Sequence, residues 1–235
     1  GAKQQPGQSR LELIQKNADI VKNICTEIKN TGSDAVVVMV ANPVDSLTQV
    51  ALKILGWDRT RVFGSGTVLD SSRFKYNISQ HCGVDARNVH AYILGEHGDS
   101  EFAAWSMTHI AGVQLKDYCA ICRKCPPQEE YQKIEQTVRD SAYHIIDYKG
   151  STYFGIGLSL VRISGAILRN EHSILTVSVM LQGEYGLDDI CLSIPCLVSQ
   201  DGIEQIITPE LTDEETEKLK NSASALREAY GNIEV

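Results

Sequence analysis

An α/β layer that continues into a mixed α+β region is the fold class this sequence predicts, and three observations carry it. Residues 35–40 (AVVVMV) are apolar without alternation, as a strand covered on both faces requires. One helical stretch precedes that run and another separates it from a short apolar run at 61–64, which makes a β-α-β piece of a doubly wound parallel sheet. Residues 173–182 and 190–199 then read as long antiparallel strands, which a purely parallel layer does not contain.

Local pattern justifies each element in turn. Residues 1–10 are polar, with a turn at Pro6-Gly7 and Ser9 placed to cap the first helix. Leu11, Ile14, Ala18, Val21, Ile24, Cys25 and Ile28 recur at helical spacing, and Thr31-Gly32-Ser33 stops that helix. The 35–40 strand ends at Asn42-Pro43-Val44-Asp45, which turns into a helix over 46–55. After the 61–64 strand, Gly64-Ser65-Gly66-Thr67 leads into a helix over 69–82. Residues 90–94 read as a strand, 105–113 as strand-like, and 116–128 as a polar, cysteine-bearing linker. Helices are expected at 129–148, with Ile134 and Val138 on its apolar face, and at 153–170, apolar on most sides and so buried. Asp201-Gly202 signals a hairpin returning over 203–207, and Thr212 with Glu215 fits a capping box for a final helix. Two strands are too few for a parallel sheet to bury its faces, and no glycine-rich phosphate turn opens this one. The rest of the layer is therefore expected upstream.

Composition narrows the classes of function. With 43% hydrophobic residues in 235, the chain can bury a sizeable core as one large domain or two smaller ones. A formal charge of -8 argues against nucleic acid or an anionic membrane as the main partner. A small anionic substrate needs only local arginines. No apolar run approaches the roughly 18 to 20 residues that span a bilayer, and residues 1–6 lack the apolar segment of a signal peptide. Seven cysteines are an odd set, too sparse for a disulfide scaffold, so a reducing cytoplasm is expected. The chain opens without Met on a polar loop, which reads as a trimmed start or a fragment.

The chemistry centres on Leu94-Gly95-Glu96-His97-Gly98-Asp99-Ser100, where a strand delivers one imidazole into a glycine-lined turn, as a general acid/base requires. Asp70 and Arg73 share a helix face three residues apart. Spacing alone favours a surface ion pair; the functional reading has Arg73 grip a carboxylate while Asp70 orients the His97 ring. Asn42 stands at the carboxyl end of a parallel strand, where such sheets bind ligands, or it simply caps the next helix. Arg10 is a solvated first-turn residue or a cation on a mobile lid. Cys119, Cys122 and Cys125 have ferredoxin-like spacing, but the fourth ligand position holds Glu129, so no metal is expected.

Taken together, Gln4-x-Pro6-Gly7-x-Ser9-Arg10, Asn42-Pro43-Val44-Asp45, Gly64-Ser65-Gly66-Thr67-x-Leu69-Asp70-x-x-Arg73 and Gly95-Glu96-His97-Gly98-Asp99 resemble the L-lactate/malate dehydrogenase family. The order and spacing of these four motifs agree over residues 1 to about 170, and the C-terminal strands and helix also fit. The resemblance implies the remainder of a Rossmann nucleotide-binding domain over 1–64, with an active-site loop at 1–10, and a substrate domain over 65–235. It implies hydride transfer between NAD and a small 2-hydroxy or 2-oxo acid. His97 would be the proton donor and acceptor, Asp70 its orienting partner, Arg73 the carboxylate clamp and Arg10 the polariser of the carbonyl. Asn42 would bind substrate and place the nicotinamide, with Gly1, Ala2, Asn23, Val40, Ser65 and Ile156 also at the cofactor. Gln4 in place of the arginine usual in malate-type members, with Thr152 lining the pocket, implies pyruvate and L-lactate over oxaloacetate and malate. Lys75 and His90 stand where bisphosphate-activated members bind fructose 1,6-bisphosphate, which leaves allosteric activation open. A homo-oligomer, dimer or tetramer, is the expected assembly. Two other readings stay open: an inactive substrate-domain fragment that self-associates, and a malate dehydrogenase.

Overall fold

The computed structural model describes residue 1 and residues 10–122, 128–149 and 152–234. Helix α1 (Arg10–Asn30) packs against α2 (Val44–Leu55), and strands β1 (Val37–Met39) and β2 (Val62–Gly64) pair in parallel beside them. The β-α-β order expected from the sequence is thus present. Ile14, Ala18, Val21 and Cys25 form the buried stripe of α1, against Leu47, Val50, Ala51 and Leu55 of α2. Ile24 lies off that stripe and is 54% exposed. Gly56 ends α2 in the left-handed conformation at φ 65°, its N–H closing onto the Leu52 carbonyl.

The parallel pair is one end of a larger sheet. β2 continues into antiparallel β8 (Ser173–Gln182), then β9 (Asp188–Ser199) and β10 (Gly202–Ile206), giving the order β1-β2-β8-β9-β10. The β8–β9 hairpin and the β10 return match the antiparallel reading of 173–207, and the sheet passes through residue 64. Its apolar face, with Val177, Val179, Leu192, Ile194 and Val198, meets Ile163 and Ala166 of α6 (Phe154–Leu168) and Leu219, Ala223 and Leu226 of α7 (Asp213–Gly231). Thr212 caps α7 in the expected box, accepting from the Glu215 N–H while Glu215 accepts from the Thr212 N–H.

A third cluster holds the segment that bears the site. α3 (Val68–Cys82) and α5 (Gln128–Lys149) enclose Phe74, Ile78, Ile93, Ile110 and Val138. Three expectations are corrected in this part of the chain. The single strand over 90–94 is two short strands, β3 (Val89–His90) and β4 (Ile93–Leu94), in different sheets. β4 pairs with β5 (Phe102–Ala103), and β3 pairs with β6 (His109–Ile110). Residues 105–113 open with a 3₁₀ turn at Trp105–Met107, and β6 is linked to β7 (Val113–Gln114) through positive φ at Ala111 and Gly112. The linker at 116–128 contains helix α4 (Leu115–Cys122), because Leu115, Tyr118 and Cys119 recur at i, i+3, i+4 and pack on the third cluster. The expected burial of the helix after 153 is also corrected: Phe154, Leu158, Val161 and Leu168 of α6 are 65–84% exposed.

Candidate active site

His97 sits in the loop after β4, and four parts of the fold fix that loop. Gly95 exchanges both backbone hydrogen bonds with Ser193 of β9 (2.8 and 3.0 Å). Its φ is 94°, and a Cβ there would lie 2.7 Å from the Ser222 Oγ of α7, so this position takes only glycine. The Glu96 N–H donates to that same Ser222 Oγ at 2.6 Å, and the His97 N–H donates to Asp45 Oδ2 of α2 at 2.8 Å. From α3, Asp70 Oδ2 meets His97 Nδ1 at 2.7 Å. Thr67 and Ser71 seat the start of α3 on β4, where the Thr67 hydroxyl donates to the Ile93 carbonyl at 2.6 Å and the Ile93 N–H donates to Ser71 Oγ at 2.9 Å.

Asp70 serves two partners at once. Its second oxygen, Oδ1, accepts from Arg73 at 3.0 Å, so the i,i+3 pair of the sequence is part of a three-residue chain, Arg73–Asp70–His97. The Asp70 side chain is 3% exposed, Arg73 16% and His97 25%, which rejects a solvated surface pair. Burial works against the Asp70 charge, but the His97 bond and the nearby His97 and Arg73 cations hold its carboxyl below the usual range. For His97, burial opposes protonation. The Asp70 bond and the charges of Asp70, Asp45 and Glu101 outweigh it and raise the imidazole to about 9. The ring is therefore an imidazolium at neutral pH, with Nε2 free of the Asp70 bond.

Two buried carboxyls near His97 escaped the sequence reading. Glu101 is 5% exposed, and one of its oxygens, one Asp70 oxygen and a His97 ring nitrogen all lie within 4.8 Å of one another. Burial first, then the Asp70 charge, push the Glu101 carboxyl up, against the pull of the His97, Arg139 and Arg73 cations. Asp45, 1% exposed, is raised by burial to about 6. Asp45 belongs to the Asn42-Pro43-Val44-Asp45 motif, and Glu101 stands just past the His97 turn. A helix-first-turn acid and a loop acid look like ordinary surface residues until the tertiary contacts are seen.

The remaining sequence-predicted residues spread over three regions. Val40 and Asn42 follow β1, and the Asn42 carbonyl accepts from the Asn17 side chain at 3.0 Å. Ser65 follows β2, is 3% exposed, and its N–H donates to the Met39 carbonyl. These three thus share the carboxyl end of the parallel pair, on the side from which Asp45 reaches His97. Thr152 and Ile156 flank the start of α6, Asn23 is exposed on α1, and Gly1 is exposed beside Asn17. Lys75 is placed over the Tyr92 ring (5.3 Å), where burial and then the Arg162 charge lower its pKa; His90 is exposed on β3. Ala2 and Gln4 lie outside the described residues, as does the side chain of Arg10, whose backbone begins α1. Of the triple-cysteine motif, Cys119 is disulfide-bonded; Cys125 and the side chain of Cys122 are outside the described set. Cys25, Cys82, Cys191 and Cys196 are buried free thiols.

The carboxyl end of β1 and β2 fits the nicotinamide end of a dinucleotide, since it brings together half-buried Val40, exposed Asn42 and buried Ser65 where parallel strands end. It does not supply a phosphate cradle. The Gly64-Ser65-Gly66 turn is packed against the sheet, where a Cβ on Gly66 would lie 2.6 Å from the Ser178 nitrogen and 2.6 Å from Ser193 Oγ. No backbone surface is left there for a pyrophosphate.

Comparison with known proteins agrees with this geometry. Residues 1–64 match the lactate/malate dehydrogenase NAD binding domain, and residues 67–234 the lactate/malate dehydrogenase alpha/beta C-terminal domain. An L-lactate dehydrogenase of Treponema denticola is 56% identical over 232 residues, covering 98% of this chain and 73% of that protein. One from Acetivibrio thermocellus is 47% identical, covering 100% and 74%. The crystal structure of the minor L-lactate dehydrogenase from Enterococcus mundtii in its ligands-bound form superposes with a TM-score of 0.96 at 40% identity, covering 100% of this chain and 74% of that one. The chain belongs to the lactate/malate dehydrogenase family, enzymes that use NAD as cofactor.

Proposed function

We propose that this chain is an NAD-dependent L-lactate dehydrogenase that interconverts pyruvate and L-lactate with His97 as acid/base. The observation that carries the reading is the Arg73–Asp70–His97 chain. Nδ1 is committed to Asp70, so Nε2 is the nitrogen that meets the substrate. The Asp70 carboxylate fixes the tautomer and supports the cation; the Arg73 donors not used on Asp70 grip the substrate carboxylate. When bound, the reduced nicotinamide supplies a hydride to the carbonyl carbon. His97 Nε2 gives its proton to the carbonyl oxygen, which leaves L-lactate and a neutral imidazole. In the reverse direction the neutral ring takes the hydroxyl proton. Val40, Asn42 and Ser65 would hold the nicotinamide end, with Gly1, Ala2, Asn23 and Ile156 at its margins. Arg10 would polarise the carbonyl as the 1–10 loop closes and expels water.

The division at 64/65 into nucleotide and substrate domains belongs to the same reading, as do a place in the cytoplasm and a role in pyruvate fermentation at the end of glycolysis. The apolar residues that α6 exposes support assembly into a homo-oligomer, as a dimer or homotetramer. The allosteric reading keeps Lys75 and His90 as the residues for fructose 1,6-bisphosphate; the Arg162 charge that acts on Lys75 supports an anion there, with Arg162 itself already paired to Glu171.

Substrate choice is assigned to Gln4 and Thr152, a neutral lining that leaves a second carboxylate without a partner. Pyruvate and oxaloacetate reduction, followed as NADH oxidation with and without the bisphosphate, tests it. The unsubstituted chain should prefer pyruvate, and Gln4→Arg should move kcat/KM toward oxaloacetate by roughly 10-fold or more, the scale of one new buried charge pair. Unchanged pyruvate preference in Gln4→Arg sinks the assignment; oxaloacetate preference in the unsubstituted chain favours a malate dehydrogenase.

A further inference from the structure

A carboxylate in the first turn of a helix ordinarily accepts from its own helix's free N–H groups and faces water. Asp45 does neither. It is 1% exposed, and it reaches a residue 52 positions along the chain: its Oδ2 accepts the backbone N–H of His97 at 2.8 Å. Its other oxygen, Oδ1, is buried and makes no well-formed hydrogen bond; the Ser178 hydroxyl of β8 is the polar group that acts on this carboxyl beside it. A buried carboxylate held by one amide and one neutral hydroxyl works against folding unless a nearby cation compensates. The His97 imidazolium is the cation it faces, and the Asp45 charge acts on that ring.

We propose that Asp45 is a positioning residue for proton transfer, which as an anion holds the His97 backbone from α2 and stabilises the imidazolium, while Asp70 holds the ring from α3. The inference rests on His97 as the acid/base. Around Asp45 the other titratable groups are Glu96 on the His97 loop and, on β9, Cys191, whose thiol is pushed up by burial and then by the Asp45 charge. Asp99 of the same loop and Glu228 of α7 line the recess beside it. Around His97 are Asp70, Asp45 and Glu101, with Arg73 behind Asp70. Because Asp45 titrates near 6, it is ionised wherever the enzyme needs a charged His97 above that pH.

The test is an NMR titration of the six histidine rings in the unsubstituted chain, Asp45→Asn and Asp45→Ala, with His97→Gln to assign the signal. Asn keeps an oxygen for the His97 N–H and removes the charge; Ala removes both. The His97 midpoint should fall by about half a unit or more in both variants, the scale of one lost neighbouring charge, with the other five midpoints fixed. Amide exchange at His97 should quicken by about 10-fold in Asp45→Ala and recover in Asp45→Asn. The Tm of Asp45→Asn at pH 7 should rise, since a buried charge has been relieved. An unmoved His97 midpoint in Asp45→Asn overturns the proposal, and that variant decides the matter even where Asp45→Ala fails to fold. The titration needs no nucleotide, so absence of pyruvate turnover would count against the lactate reading and leave this result to stand by itself.

Discussion

Replacing Asp70 by Asn removes the strongest influence that raises the His97 pKa, without changing side-chain size. His97 titrates near 9 against an ordinary 6.5. At pH 7.5 a ring with the higher value is about 97% protonated and one with the lower about 9%, so loss of the shift alone cuts the population able to donate by roughly 10-fold. Loss of tautomer control comes on top of that, because Asn can present its amide rather than an acceptor to Nδ1. Since the folded-state pKa of His97 is raised, its stabilising contribution is complete below about 6.5 and disappears as pH rises through about 9. The gross size of that contribution is about 3 kcal/mol, reduced by the quarter of the ring left in contact with water. Asp70→Asn should therefore move the alkaline limb of pyruvate reduction from near 9 down toward 6.5–7.5, with the Asp45 charge preventing a complete return. It should also flatten the fall in Tm between pH 6.5 and 9. A pH–rate profile of kcat/KM, paired with thermal melts across the same range, reads both. An alkaline limb still near 9 in Asp70→Asn refutes the assignment of Asp70 as the source of the shift.

Two further substitutions probe the anchors on either side. Arg73→Lys keeps the charge and loses the planar fork, so KM for pyruvate should rise by about 10- to 100-fold with a smaller change in kcat; an unchanged KM would separate Arg73 from the substrate carboxylate. Gly95→Ala places a Cβ 2.7 Å from Ser222 Oγ at a φ of 94°, and should lower stability by about 2–3 kcal/mol. A denaturant midpoint equal to that of the unsubstituted chain would contradict the described loop geometry.

Periodicity made much of the fold legible. The stripe Ile14, Ala18, Val21, Cys25 gave α1 its buried face, and Thr212 with Glu215 marked the start of α7; the unbroken apolar run at 35–40 marked a parallel strand, but β1 is the sheet's edge and is half-buried rather than covered on both faces. The failures have physical causes. Residues 105–113 carry strand-forming types, but the Ala111-Gly112 turn divides them. At 116–122, cysteine spacing obscured a helical i, i+3, i+4 pattern. Helix α6 is apolar on most sides, and the single chain offers it only one surface to cover. At the site, Asp70, Arg73 and His97 were readable because two lie on one helix face and the third sits in a glycine-lined turn. Asp45 and Glu101 were not, since their meaning comes from contacts across the fold and from burial that no local pattern encodes.

The central claim is that His97 moves the proton. The direct measurement is NADH-dependent pyruvate reduction at pH 7 by the unsubstituted chain and by His97→Gln, with folding of both verified by circular dichroism. Turnover by the unsubstituted chain and a loss of about 10³-fold or more in kcat for His97→Gln is the predicted result, the size expected for removing a general acid. A His97→Gln variant that reduces pyruvate at a comparable rate would contradict the account.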